Sequence, residues 1–294
     1  MGNRKVSKRS NHGQGEGHGK VQGRKGSKGL SRSMGSNSGK PGGEGPVLPE
    51  GVAGLAGLPG KSPEAGERAR PQTLYMVATP IGNLRDITLR ALDILTSVDV
   101  IACESLMRSR NLLREYRIYP EQLLVCQAGN EEAGAGGLVK LLERGRSIAY
   151  ISDAGTPGIN DPGMKLVAAV RGEGFAVEAL PGPSALTMMA SLASCSCKPL
   201  SFVGFLSPKS GRRQRELRHW LEQGHSFVFY ESPFRVEATL KDIDCLAPQR
   251  VLFLGREMTK KNAQFLWGTS DHLLCQLKLM TLVRGEFTLL VAEE

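Results

Sequence analysis

From residue 74 the chain repeats one unit five times: a short apolar run followed by a segment with helical spacing. This repeat constrains the fold more than any other feature. The runs at 74–79, 99–103, 123–126, 147–151 and 176–180 are too short for helices. They show little polar alternation, as expected of strands covered on both faces. The intervening segments 89–98, 108–116, 130–144, 164–171 and 184–193 read as helices. In the first, Thr88 is placed to cap a face formed by Leu89, Leu92, Leu95 and Val98. Strands alternating with helices imply crossover connections and a largely parallel sheet, an α/β arrangement.

The texture changes after Pro199. Runs at 201–205, 226–230, 251–254, 264–267 and 286–291 read as strands, with helical segments around Arg212–Arg218 and at 234–246. The sequence therefore predicts an N-terminal α/β domain over 73–198 and a mixed α+β domain over 199–294. Residues 1–72 contain half of the 36 Gly, 13 Lys and Arg against 5 Asp and Glu, and no aromatic residue. Such a segment cannot bury enough apolar surface to offset its ordering entropy, so it reads as a disordered basic tail. No apolar run reaches the roughly 20 residues of a membrane span, and the N-terminal charges are not followed by the apolar core of a secretory signal. The six Cys include no C-x-x-C pair and read as reduced thiols, and no metal site is expected.

Ligands of open α/β sheets bind at the carboxyl ends of strands. Three Gly- and Pro-rich loops fall there: Thr79-Pro-Ile-Gly-Asn83, Ser152-Asp-Ala-Gly-Thr-Pro-Gly158 and Pro181-Gly-Pro-Ser184. Gly permits close approach of the backbone, and Pro fixes the loop shape before a ligand arrives. Such a site suits a small polar cofactor held by main-chain hydrogen bonds, with Asp153 accepting from an amine or a ribose hydroxyl. The first loop is not G-x-G-x-x-G, which disfavours a dinucleotide. H-E-x-x-H and G-x-S-x-G are absent from the sequence, which removes the usual signatures of metallohydrolases and serine hydrolases.

The strings Tyr75-Met-Val-Ala-Thr-Pro-Ile-Gly-Asn-Leu84, Asp86-Ile-Thr-Leu-Arg-Ala-Leu92, Ser152-Asp-Ala-Gly-Thr-Pro-Gly-Ile-Asn-Asp-Pro-Gly163 and Pro181-Gly-Pro-Ser-Ala185 resemble the tetrapyrrole methylase superfamily. Gly204-Phe-Leu-Ser-Pro-Lys-Ser-Gly211, Phe229-Tyr-Glu-Ser-Pro-Phe-Arg235 and Arg256-Glu-Met-Thr-Lys260 extend the likeness to its small-subunit rRNA (cytidine-2′-O)-methyltransferase branch. The resemblance covers residues 73–294. It implies a two-domain tetrapyrrole-methylase-like fold and a homodimer, with S-adenosylmethionine in the cleft. On that footing Pro80, Asp153, Ala154, Gly155, Thr156, Ser184 and Ala185 are the expected cofactor residues. Glu104 and Glu231, at strand ends, are candidates for the group that takes the 2′-hydroxyl proton. Lys209, Arg212, Arg213 and Arg215, extended by Arg256 and Lys260, form the expected grip on RNA phosphates. The implied setting is cytoplasmic, beside the small ribosomal subunit.

The branch usually has Glu-Asp-Thr-Arg where this chain has Glu104-Ser-Leu-Met107, and His-x-His-Asn where it has Gln127-Ala-Gly-Asn130. Two alternatives to the enzyme therefore stay open: an RNA- or ribosome-binding module with weakened catalysis, and a methyltransferase for a small tetrapyrrole.

Overall fold

A computed structural model describes residues 66–280 and 283–293, all within one compact unit. Five parallel strands form the first sheet: β1 (Thr73–Val77), β2 (Val100–Cys103), β3 (Gln122–Val125), β4 (Ile148–Ile151) and β5 (Ala176–Leu180), in the order β3-β2-β4-β1-β5. The helices between them are α1 (Leu89–Ser97), α2 (Leu106–Glu115), α3 (Glu131–Glu143) and α4 (Met164–Gly172). Thr88 caps α1 as its position suggested, accepting from Ala91 N.

The sheet is covered on both faces, which explains why its strands do not alternate with polar residues. Leu74, Met76, Ala102 and Tyr150 point to one side and pack against α3 and α4 through Leu138, Leu142, Leu166 and Val170. Tyr75, Val77, Ile101 and Ile151 point to the other and meet Ile94, Leu95 and Leu113 of α1 and α2. Glu131, at the start of α3, accepts main-chain hydrogen bonds from Gly163 and Lys165 at 2.8 and 3.0 Å. One side chain thus satisfies the otherwise orphan donors at the start of α4 and ties down the end of the 152–163 loop.

α5 (Ala185–Leu192) follows β5 and leads to the second sheet. That sheet comprises β6 (Leu200–Phe205), β7 (Ser226–Glu231), β8 (Leu252–Arg256), β9 (Gln264–Gly268) and β10 (Phe287–Val291), ordered β6-β7-β10-β8-β9. β6 and β7 are parallel, and the other pairings are antiparallel. One face packs on α6 (Ser210–Glu222), α7 (Val236–Leu246) and α8 (Ser270–Lys278), through residues such as Phe227, Phe229, Leu217, Leu240 and Leu273. The opposite face, with Val228 and Leu290, receives Met189 and Leu186 of α5. The fifth helix of the first repeat therefore buries its apolar side against the second sheet.

Two details differ from the sequence expectation. α8 lies where no helix was expected; Thr269 caps it, accepting from His272 N. The basic tail was expected to run to residue 72, yet 66–72 lie on the first sheet. Glu67 pairs with Arg90, Arg90 and Arg70 both pair with Glu178, and Arg70 N donates to Tyr75 Oη. The remainder of the tail, 1–65, lies outside the described residues. No described helix is long and apolar enough to cross a membrane.

Candidate active site

The three Gly- and Pro-rich loops converge. Thr79 and Gly155 exchange two main-chain hydrogen bonds of 2.9 Å, which join the first loop to the second as a short antiparallel bridge. Thr156 Oγ1 donates to Pro183 O at 3.2 Å and joins the second to the third. Asn83 N donates to Thr259 Oγ1 at 2.9 Å, attaching the first loop to the turn after β8. Gly155 has φ +79°, a conformation in which a residue with a side chain would be strained; a Cβ there would make only ordinary contact with Ile81 Cγ2, at 3.5 Å.

These loops enclose a cavity of about 240 Å³ with the second sheet. Its first wall is Ile81, Ala154, Gly155, Thr156, Ser184 and Ala185; its second is Phe205, Tyr230, Met258, Phe287 and Thr288, with Glu231 and Glu286. Asn160 and Asp161 lie between. Of the expected cofactor residues, Ala154, Gly155, Thr156, Ser184 and Ala185 line the cavity. Pro80 and Asp153 do not: Pro80 is buried, and Asp153, which precedes the lining residue Ala154, is half-buried.

Asp153 is only partly satisfied. Its Oδ2 pairs with Arg108 at 3.1 Å, while its buried Oδ1 has no hydrogen-bond partner among the described residues. A buried carboxylate oxygen left this way calls for a donor. Glu104 Oε2 accepts from Asp153 N at 3.2 Å and so braces this loop.

Asp161 belongs to the same 152–163 loop, and the sequence alone did not mark it as a site residue. Burial, then the nearby charge of Glu104, pushes its carboxyl up to about 6; a hydrogen bond from Ser152 pulls back, and Asp153 raises it further. The available signal was a second carboxylate in the loop that already held Asp153. Its neighbour Asn160 has φ +63°, a strained backbone held at the cavity wall. Tyr230, across the cavity, has its hydroxyl pushed up to about 12, chiefly by burial and then by Asp161.

Several of the expected site residues have partners within the chain. Glu231, a candidate base, has a buried carboxylate whose oxygens already accept from Ser232 N and Thr239 Oγ1, both at 2.7 Å, and pair with Arg235 at 2.8 Å. Those bonds make it the anchor of the turn after β7. Arg213, expected on an RNA-facing surface, is 4% exposed and bonded to Asp242, whose other oxygen accepts from Gln214. Helical geometry is the cause: residue 213 falls on the side of α6 that meets α7, whereas Lys209, Arg212 and Arg215 are exposed. Arg256 donates from Nε to Arg284 O and from Nη1 to Gln264 Oε1, and Lys260 donates to Glu257 and Glu286. Asn130, shared with the family pattern, folds back to accept from Gln127 N and caps its own turn.

Residues 73–274 match the family described as Tetrapyrrole (Corrin/Porphyrin) Methylases. A protein of Neisseria meningitidis serogroup B named Ribosomal RNA small subunit methyltransferase I is 43% identical over 197 residues, 67% of each chain. One of the same name from Mycoplasmopsis pulmonis is 41% identical over 218 residues, 74% of this chain and 96% of that one. Among solved structures, a uroporphyrin-III C-methyl transferase from Thermus thermophilus, complexed with S-adenyl homocysteine, superposes with a TM-score of 0.54 at 17% identity, over 75% of this chain and 97% of that one.

Proposed function

Because this chain belongs to the tetrapyrrole (corrin/porphyrin) methylase family, we propose that it is an S-adenosylmethionine-dependent methyltransferase acting on the 2′-hydroxyl of a cytidine in small-subunit ribosomal RNA. One observation carries the reading: three bends meet at a cavity lined by a half-buried carboxyl, Asp161, pushed up to about 6, in a chain whose relatives bear the name of ribosomal RNA methyltransferases.

The residues present fit the donor. Main chain at Ala154, Gly155 and Thr156, with Ser184 and Ala185, would hold it, and the unsatisfied Asp153 Oδ1 would accept from its ammonium or ribose hydroxyl. Bound there, S-adenosylmethionine supplies a methyl group on a cationic sulfur. Asp161 would take the proton of the attacking ribose hydroxyl. A general base works best when its pKa lies near the working pH, and the surroundings of Asp161 move its carboxyl in that direction. Glu104 is then a positioning residue: its charge keeps the proton affinity of Asp161 high, and its hydrogen bond fixes the main chain of Asp153. Holding the two reacting groups at attack distance supplies the rest of the rate. Lys209, Arg212 and Arg215 would meet RNA phosphates.

The same reading takes the protein to be a cytoplasmic homodimer. Leu192, Phe265 and Trp267, exposed on and beside edge strand β9, support an interface between copies. A second reading, a binding module without turnover, also has an observation in its favour. Met107 is 71% exposed where the family pattern has Arg, and Arg108 ties up one oxygen of Asp153.

The test is incubation with labelled donor and small ribosomal subunits lacking 2′-O modification, followed by mapping of the label. Label on the ribose of a cytidine is expected. Donor and RNA binding with no labelled ribose would establish the binding module instead. Transfer to a tetrapyrrole, with RNA unmodified, would return the substrate to that of the wider family.

A further inference from the structure

Phe234 is 95% exposed, the highest value among the exposed large apolar residues described. It stands in the turn between β7 and α7, and that turn is not loose. The buried Glu231 carboxylate holds Ser232 N, Thr239 Oγ1 and Arg235 at once. Arg235 N and Val236 N both donate to Ser232 O at 3.0 Å, and Phe234 N donates to Ser232 Oγ at 3.2 Å. Pro233 fixes one more dihedral. The chain thus builds a rigid mount and leaves a phenyl ring in water on top of it, forgoing the burial that usually places Phe inside.

The location of this mount gives the ring a use. β6 and β7 are parallel, so their carboxyl ends share one edge of the sheet. At that edge Phe205, Tyr230 and Glu231 line the cavity, and Phe234 follows Glu231 by three residues. α6 starts from the same edge, so the exposed Lys209 and Arg212 also stand at this end of the sheet. A flat apolar ring, cations and a cavity therefore meet at one rim. A ligand that matches all three has a planar π-face, a negatively charged backbone and a reactive group that must enter the cavity. An unpaired nucleotide strand has these properties; a base inside a duplex does not offer its face.

We propose that Phe234 is the stacking platform for an unpaired base flanking the nucleotide that enters the cavity. The proposal rests on the reading of the substrate as RNA and adds that the target must be single-stranded on the side facing this ring. It makes Phe234 a specificity-determining contact remote from the reacting atoms.

The test compares wild type with Phe234→Ala, Phe234→Leu and Phe234→Trp, using fluorescence anisotropy with a labelled single-stranded RNA spanning the mapped target and with the same RNA annealed to its complement. Since the side chain is almost wholly exposed, all variants should melt as wild type does. Phe234→Ala and Phe234→Leu should weaken single-strand binding by at least about fivefold, with Phe234→Trp restoring it. Duplex binding should barely change, and in methyl transfer KM for RNA should rise more than kcat falls. Wild-type RNA affinity in Phe234→Ala would overturn the proposal while leaving the methyltransferase reading intact. Recovery by Leu would overturn stacking in favour of plain apolar contact. A loss of dimer on sedimentation, with RNA affinity retained, would assign the ring to a contact between copies. Failure of the wild-type protein to bind RNA at all would remove both the platform and the substrate reading.

Discussion

The two walls of the cavity are made in different ways. The wall from the first sheet is almost all backbone: Ala154, Gly155, Thr156, Ser184 and Ala185 offer small side chains, and its cohesion comes from main-chain and hydroxyl hydrogen bonds linking adjacent loops. The wall from the second sheet is made of side chains, Phe205, Tyr230, Met258 and Phe287, with charged groups committed to partners around it. The contrast separates two tasks. On the proposed reading, a donor of fixed shape would be met by fixed backbone, and a polymer by rings and cations distributed along a rim.

The largest effect should come at the seam between the walls. Asp161→Asn is expected to reduce methyl transfer by about 100-fold or more while donor affinity survives, measured by single-turnover kinetics and calorimetry. In wild type, transfer should fall as pH drops through about 6, where Asp161 takes up its proton. The stability sign is opposite. A carboxyl whose folded pKa is raised favours the folded state at low pH, and that contribution is lost as pH rises through about 6. Asp161→Asn should therefore melt above wild type at about pH 8 and not below about pH 4. A melting difference independent of pH would show that the carboxyl is not held as described.

The next effect tests whether the cations of the second half share one role. Arg213→Ala strands the buried Asp242 and should cost about 3–5 kcal/mol, read from the denaturant midpoint. Replacing Arg213 and Asp242 together with apolar residues should recover much of that loss. If Arg213→Ala instead leaves stability intact and weakens RNA binding, Arg213 belongs with the outward-facing cations of α6 and not with its core.

The smallest effect belongs to the exposed side of the same helix. Arg212→Ala with Arg215→Ala should change stability by no more than about 0.5 kcal/mol per site. It should reduce the slope of log affinity against log salt by about 0.7 for each phosphate that is no longer neutralised. An unchanged slope would break the assignment of this face to RNA.

The same contrast explains what could be read in the sequence. The first sheet was legible because strands buried on both faces are continuous apolar runs, and because a wall built from backbone announces itself through Gly and Pro. The second wall was legible only in outline. Arg213 and Arg215 look alike in a basic run, and only the position of α7 decides that one is buried against Asp242. Glu231 looked like a free acid at a strand end, but its partners Thr239 and Arg235 come from the following helix and turn. Asp161 was not legible because its distinction comes from burial and from Glu104, a residue 57 positions earlier on another strand end. α8 was not read from the sequence, although Thr269 stands ahead of Leu273, Leu274 and Leu277 at helical spacing.

α5 has a mechanical consequence. Its N-cap Ser184 and its first residue Ala185 belong to the first wall of the cavity, while Met189, one turn further on, packs on the sheet that carries the other wall. The helix is therefore a lever with one arm in each compartment. If a substrate were to shift the second sheet it would also move Ser184 and Ala185, the proposed seat of the donor, and any such coupling would have to be reciprocal, each ligand altering the affinity of the other by the same factor.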